Sequence, residues 1–239
     1  MRSPDLLLEV ARAVRSAVLP YMGLPAFRGA EGVAVGGDVT FGLDEIAERA
    51  ALPILEQASE DGLAWYTEDR GLAVRGRPQR LIVLDPLDGT RPAAAGLESA
   101  CVSVAAAPFG ESPVLGDVDD GLVLELKTGS MFRARRGAGT SFVIAGESRS
   151  PAPSPATGLD GAFWTYGLRG RPTMPSAIVL EELIDRTGVS SGTFDLGSAA
   201  FGMTRVATGQ LDAYVDHGQR LIDDLPQTRE LFERIAGGA

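Results

Sequence analysis

The sequence predicts a mixed fold. An N-terminal α+β part, helices on a mostly antiparallel sheet, is followed by a smaller C-terminal α/β part. Three observations carry this. Two amphipathic stretches occur near the N-terminus. Apolar runs of strand length, punctuated by Gly, Pro and Asp, fill the next section. Beyond residue 158 strand-like and helix-like segments alternate. With 239 residues the chain can form one large domain or two small ones. The expected division is 1–147, a linker rich in Pro and Ser at 148–158, and 159–239.

The elements follow in order. Ser3-Pro4 reads as an N-cap and first helical position, and Leu7, Val10, Ala11, Val14 and Val18 recur at helical spacing, so a helix is expected over 4–21. Residues 23–37 are glycine-rich and irregular. FGLDEIAERAALPILEQA reads as a second amphipathic helix with Ile46, Ala50 and Ile54 on one face and Pro53 as a bend. LAWYTEDRG is a short strand entering a turn and RLIVLD a buried strand. SACVSVAAAPF, GLVLELK and SMFRARR are three more strands. In the second half GAFWTYG, SGTFDLG and QLDAYVD read as strands. PSAIVLEELIDRTG, SAAFGMTRVATG and a terminal LPQTRELFERIAGGA read as helices.

Hydrophobic residues make up 44% and charged residues 23%, the balance of an ordinary soluble globular protein. The formal net charge of −10 argues against nucleic acid or an anionic membrane as the main partner. It leaves room for an anionic substrate, because a bound divalent cation reverses the local field. The single cysteine, Cys101, rules out an internal disulfide and fits a cytoplasmic setting. Its small apolar neighbours mark it as a core residue. The N-terminus has neither a signal-peptide core nor an apolar span long enough for a membrane.

The chemistry concentrates in DPLDGT, residues 85–90. Asp85 leaves a strand, Pro86 fixes the next turn, and Asp88 is close enough to share a ligand with Asp85. Gly89 permits close backbone approach to an anion. Thr90 offers a hydroxyl, and N–H groups here suit phosphate if a helix begins. Two adjacent carboxylates repel, and a divalent cation relieves that. The competing reading is an Asp-Gly turn. Asp44, Glu68, Asp216 and Asp223-Asp224 also stand at element ends. Singly each reads as a capping or solvated acid. Together they point to a hard-cation site of all-oxygen donors, Mg²⁺ or alternatively Mn²⁺. The sole histidine, His217, cannot build a histidine cluster.

Five stretches in order, GGDVTFGLDEIAE, YTED, LDPLDGT, GSAAFGMTRVATGQLDAYVD and IDD, resemble the inositol monophosphatase family of magnesium-dependent, lithium-sensitive phosphatases. The resemblance spans roughly residues 36–223. It implies a layered αβαβα sugar-phosphatase-like sandwich, here expected to be shortened at the C-terminus, and a homodimer. It implies a first Mg²⁺ on Glu68, Asp85 and the Leu87 carbonyl, and a second on Asp85, Asp88 and Asp223. Gly89 and Thr90 would receive phosphate, and Thr90 with Asp44 would orient the attacking water. Asp216 and the backbone of Gly197, Ser198 and Ala199 would contact the leaving alcohol. The implied activity is hydrolysis of a small phosphate monoester such as inositol monophosphate. The alternatives are fructose-1,6-bisphosphatase or nucleotide 3′-phosphatase activity, or binding without turnover. The chain departs from the family where Arg91-Pro92 follows Thr90 and where Ile222 takes the place of a tryptophan.

Overall fold

A computed structural model describes residues 5–33, 39–110, 112–168 and 174–217. The first helix, α1, is Leu6–Val18, and its predicted stripe Leu7, Val10, Ala11, Val14 and Val18 is buried. Asp5, rather than Ser3, is the N-cap: its carboxylate accepts from the Leu8 N–H at 3.4 Å. A short hairpin of β1 (Ala30–Val33) and β2 (Val39–Phe41) leads into α2, Gly42–Ala58.

The buried stripe of α2 is Leu43, Ala47, Ala51 and Leu55, not the expected Ile46, Ala50 and Ile54, which pack only partly against the core. The reason lies in Asp44 and Glu48. Both point inward beside the apolar stripe, so polar groups help set the helix's inner face. Pro53 is exposed and α2 runs through it; the carbonyl it leaves without an N–H partner belongs to Arg49, which is also exposed.

The remaining N-terminal elements are β3 (Leu63–Thr67), β4 (Gly71–Arg75), β5 (Arg80–Asp88), α3 (Thr90–Ala95), β6 (Cys101–Pro108), β7 (Asp120–Glu125), β8 (Met131–Arg135), β9 (Gly139–Ile144) and β10 (Glu147–Arg149). They form an eight-stranded sheet in the order β10-β9-β8-β7-β6-β5-β3-β4. Every neighbouring pair is antiparallel except β3 with β5, which is parallel. Side chains alternate across the sheet. Trp65, Ile82, Leu84, Val102, Val104, Leu122 and Leu124 face α1 and α2 and form the main core. Their strand neighbours Asp85, Cys101 and Glu125 therefore face the other side.

The C-terminal part comprises β11 (Phe163–Leu168), α4 (Met174–Thr187), β12 (Gly192–Asp195), α5 (Ala199–Ala207) and β13 (Ala213–His217). Its three strands are parallel in the order β12-β11-β13, the βαβ pattern expected. Ala162, Trp164 and Leu180 form its small core. Within the predicted linker, Ser148 and Arg149 close β10, while residues 150–157 are without helix or strand. That stretch is held down, because the Ser154 hydroxyl donates to Asp212. The terminal helix expected from Leu225 lies outside the described residues. Among the described residues no helix is long and apolar enough to cross a membrane.

Candidate active site

The parallel β3/β5 register builds the acidic centre. Thr67 stands opposite Leu84, so the next residue on each strand, Glu68 and Asp85, emerge side by side at the same sheet end. Burial, then the charges of Asp88, Glu68 and Asp44, push the Asp85 carboxyl well above the usual carboxylate range. The Leu87 N–H, donating to Asp85 Oδ1 at 3.1 Å, opposes this only in part. Pro86 has no N–H, and the β5/β6 ladder bulges between Asp85 and Asp88. The bulge keeps both aspartates on the face opposite α1 and α2.

Asp88 is 7% exposed, and α5 docks on it. Ser198 Oγ donates to Asp88 Oδ2 at 2.8 Å, and the Ala199 and Ala200 N–H groups donate at 3.3 and 2.5 Å. A carboxylate at a helix N-terminus is favoured by the unpaired N–H groups and the helix dipole. So Ser198 and Ala199, expected at the substrate, and Asp88, expected at a metal, are brought together by direct hydrogen bonds, while the Gly197 N–H donates to Asp195 at 3.1 Å. The thiol of Cys101 lies 4.0 Å from Asp88 Oδ2 and 3.7 Å from Ser198 Oγ.

Asp44 and Thr90 meet across the helix junction. Asp44 is the third residue of α2, and its Oδ2 accepts from the Phe41 N–H at 2.7 Å. That one-way bond, from the backbone N–H of the N-cap to the side chain three residues on, fixes the carboxylate. Thr90 Oγ1 donates to Asp44 Oδ1 at 2.7 Å and approaches the Leu87 carbonyl at 3.2 Å. Gly89, in a left-handed conformation with φ 92°, is the N-cap of α3. The unusual Arg91-Pro92 is accommodated: Pro92 sits in the first turn, where no N–H is needed, and the Arg91 guanidinium lies 6.0 Å from the Phe41 ring.

Asp216 is on β13, and its carboxylate accepts from the Tyr214 hydroxyl at 2.6 Å. Asp223 lies outside the described residues. Glu48, one turn beyond Asp44, was not singled out from the sequence, although the four-residue spacing puts both on one face of α2. It is 2% exposed, and among the described residues its oxygens lack hydrogen-bond partners of good geometry. Burial raises its pKa; the Thr67 hydroxyl and Arg70, whose Nε is 3.7 Å away, offset part of that. Thr67 and Arg70 flank Glu68, so Glu48 supports the turn that carries it.

Among the described residues no three acids, cysteines or histidines converge into a ready metal cage. The donor chemistry nevertheless fits a hard cation. Asp85 is a desolvated carboxylate raised by three neighbouring acids, and the adjoining Glu68 and Leu87 carbonyl are oxygen donors.

The comparisons with known proteins bear on the family and the fold. The description "Inositol monophosphatase family" matches residues 9–224. A fructose-1,6-bisphosphatase/inositol-1-monophosphatase of Methanothermobacter thermautotrophicus is 28% identical, over 96% of this chain and 81% of the relative. A bifunctional NADP phosphatase/NAD kinase of Methanococcus maripaludis is 26% identical over 89% of this chain, which spans 38% of that longer protein. In fold, the extragenic suppressor protein SuhB of Bartonella henselae superposes with a TM-score of 0.72 at 21% identity, covering 89% of this chain and 78% of that one. A Thermotoga maritima IMPase does so with 0.66 at 22%, covering 90% and 76%. With the family's sequence pattern running through nearly the whole described chain and its fold reproduced, the chain belongs to the inositol monophosphatase family.

Proposed function

We propose that the protein is a divalent-cation-dependent phosphatase acting on a small phosphate monoester, with inositol monophosphate as the first substrate class to test. The observation that carries this is the Thr90–Asp44 hydrogen bond standing beside Asp85 and Glu68. Family membership supports phosphatase chemistry in general.

Glu68, Asp85 and the Leu87 carbonyl would hold the first cation. Asp88 and Asp223 would join Asp85 at a second. Bound there, Mg²⁺ or Mn²⁺ would neutralise the carboxylates, polarise the phosphoryl group and ease deprotonation of water. The chain's own residues supply the rest. Asp44, fixed by the Phe41 N–H, accepts the Thr90 proton and leaves a Thr90 lone pair free to accept from water. A water aligned there gives up its proton along Thr90 toward Asp44 as its oxygen attacks phosphorus. The N–H groups of Gly89 and Thr90, at the start of α3, would receive phosphate oxygens. The start of α5, at Gly197–Ala199, and Asp216 would face the leaving alcohol. Inside such a site catalysis is mostly positioning and charge neutralisation.

The experiment is phosphate release from inositol 1-phosphate, fructose 1,6-bisphosphate, NADP and 3′-phosphoadenosine 5′-phosphate with Mg²⁺. Thr90→Val, which keeps shape and removes the hydroxyl, is expected to lower kcat by about 10²-fold or more while the protein stays folded. Release from none of the four substrates, or a Thr90→Val enzyme with undiminished kcat, would overturn the proposal.

A further inference from the structure

We infer that Arg205 and Glu125, neither of which touches the acidic centre, form a latch that seats the start of α5 on Asp88, making them positioning residues for this site. In chain order α5 belongs to the C-terminal unit, between β12 and β13. It is nine residues long, too short to be stable without tertiary anchors. It packs against β11 and β13, where Gly202 lies close to Thr165 and Tyr214, but both its polar anchors are on the large sheet. One is Asp88 on β5, which takes the Ser198 hydroxyl and the Ala199 and Ala200 N–H groups. The other is Glu125 on β7, which takes the Arg205 guanidinium.

The spacing makes the two anchors one device. Arg205 follows Ser198 by two helical turns, on the same face and about 10 Å along the axis. That face is the one turned to the sheet. Glu125 is 1% exposed and the Arg205 side chain 14%. The remaining Glu125 oxygen accepts from the Thr128 hydroxyl, and Arg205 Nη1 donates to Gln210 Oε1 at 2.8 Å. The Phe201 ring lies 4.1 Å from the guanidinium and the Phe132 ring 5.7 Å. A cation held by a buried carboxylate and two ring faces has one position, so the helix it is attached to has one too. Without it, the polar grip of α5 on the large sheet would come from its first turn alone.

Cys101 provides the readout. It is the only cysteine, fully buried, with its thiol 3.7 Å from Ser198 Oγ under the start of α5. A thiol reagent reaches it when that end of α5 lifts or the protein unfolds. The two routes differ in urea dependence: local opening exposes little surface and depends weakly on urea, whereas global unfolding depends steeply. The test is the rate of Cys101 modification by an aromatic disulfide from zero to moderate urea. Arg205→Met is expected to label at least tenfold faster than wild type at low urea, with shallow urea dependence. Arg205→Lys should return most of the protection. Glu125→Gln, which keeps volume and an acceptor, should label at an intermediate rate and serves if Arg205→Met does not fold. Rates equal to wild type in the folded variants, or acceleration with only the steep global dependence, would overturn the latch.

A second readout rests on the proposed phosphatase reading. Arg205→Met should raise KM for the phosphate monoester at least threefold and leave kcat within twofold, because the Thr90–Asp44 pair is untouched. A loss confined to kcat would overturn the positioning role. Wild-type protein without turnover would overturn the phosphatase reading instead, while the labelling rates still decide the latch.

Discussion

Asp85→Asn is expected to abolish Mg²⁺-dependent phosphate release and, without divalent cation, to make the protein more stable. Both effects come from one property. The Asp85 carboxyl is withdrawn from water and surrounded by Asp88, Glu68 and Asp44, so its charged form is disfavoured. A carboxyl with a raised native pKa holds its proton more tightly when folded than when unfolded. Stability therefore falls as pH rises from the ordinary carboxylate range through the raised native value. Asparagine removes that penalty and keeps an acceptor for the Leu87 N–H. At neutral pH the gain should be about 1–2 kcal/mol, or about 4 °C in Tm in chelator, and it should shrink as pH drops toward the ordinary carboxylate range. Thermal unfolding at acidic and neutral pH checks it. A Tm lower than wild type at neutral pH would contradict the account of the site as a repelling acid cluster. The expected trade of activity for stability is typical of groups kept for chemistry.

Gly89→Ala is the second large effect. Gly89 has φ 92°, and a Cβ there would stand 2.5 Å from the Ser99 carbonyl oxygen, 2.9 Å from Ser198 Cβ and 3.2 Å from Ala100 Cα. The left-handed backbone costs an alanine about 1–2 kcal/mol, and the collision with fixed backbone a comparable amount. A loss of about 3 kcal/mol is expected, read as a lowered urea midpoint with unchanged slope. Because the methyl presses on Ser198, it should also lift α5 from Asp88 and speed Cys101 modification. A midpoint matching wild type would mean that the close packing of DPLDGT against β6 and α5 is not what fixes this turn.

Much of the site was legible because it is local. DPLDGT declares a strand end, a turn and a helix start within six residues, and β5, Gly89 and α3 follow that pattern. The buried stripe of α1 was readable for the same reason: its face packs on one apolar surface. On α2 the pattern misled by one position, because Asp44 and Glu48 occupy part of the inward face that a hydrophobic count assigns to apolar residues alone. Strands β9 and β10 carry few buried side chains and lack the apolar signal by which β5 and β6 were found. The Asp5 cap was masked by the better-known Ser-Pro signature just before it.

Local residue patterns do not convey which distant groups meet; only the family resemblance paired Glu68 with Asp85 and Thr90 with Asp44. The proximity of Glu68 and Asp85 depends on β3 and β5 being parallel neighbours in register, which neither strand announces. The grip of α5 on Asp88 joins residues 110 to 112 positions apart. It also changes the expected picture, since Asp88 is already a hydrogen-bond acceptor for the helix assigned to the substrate. Charge at this centre is thus balanced by α5 on the Asp88 side and only partly offset, by the Leu87 N–H, at Asp85, where the first cation is proposed.

Calorimetric titration of the protein with Mg²⁺, wild type against Asp85→Asn, tests that central proposal most directly. Saturable binding in wild type, weakened at least tenfold in Asp85→Asn, is the predicted result. Wild-type protein that takes up no Mg²⁺, or binding that is the same in both proteins, would contradict it.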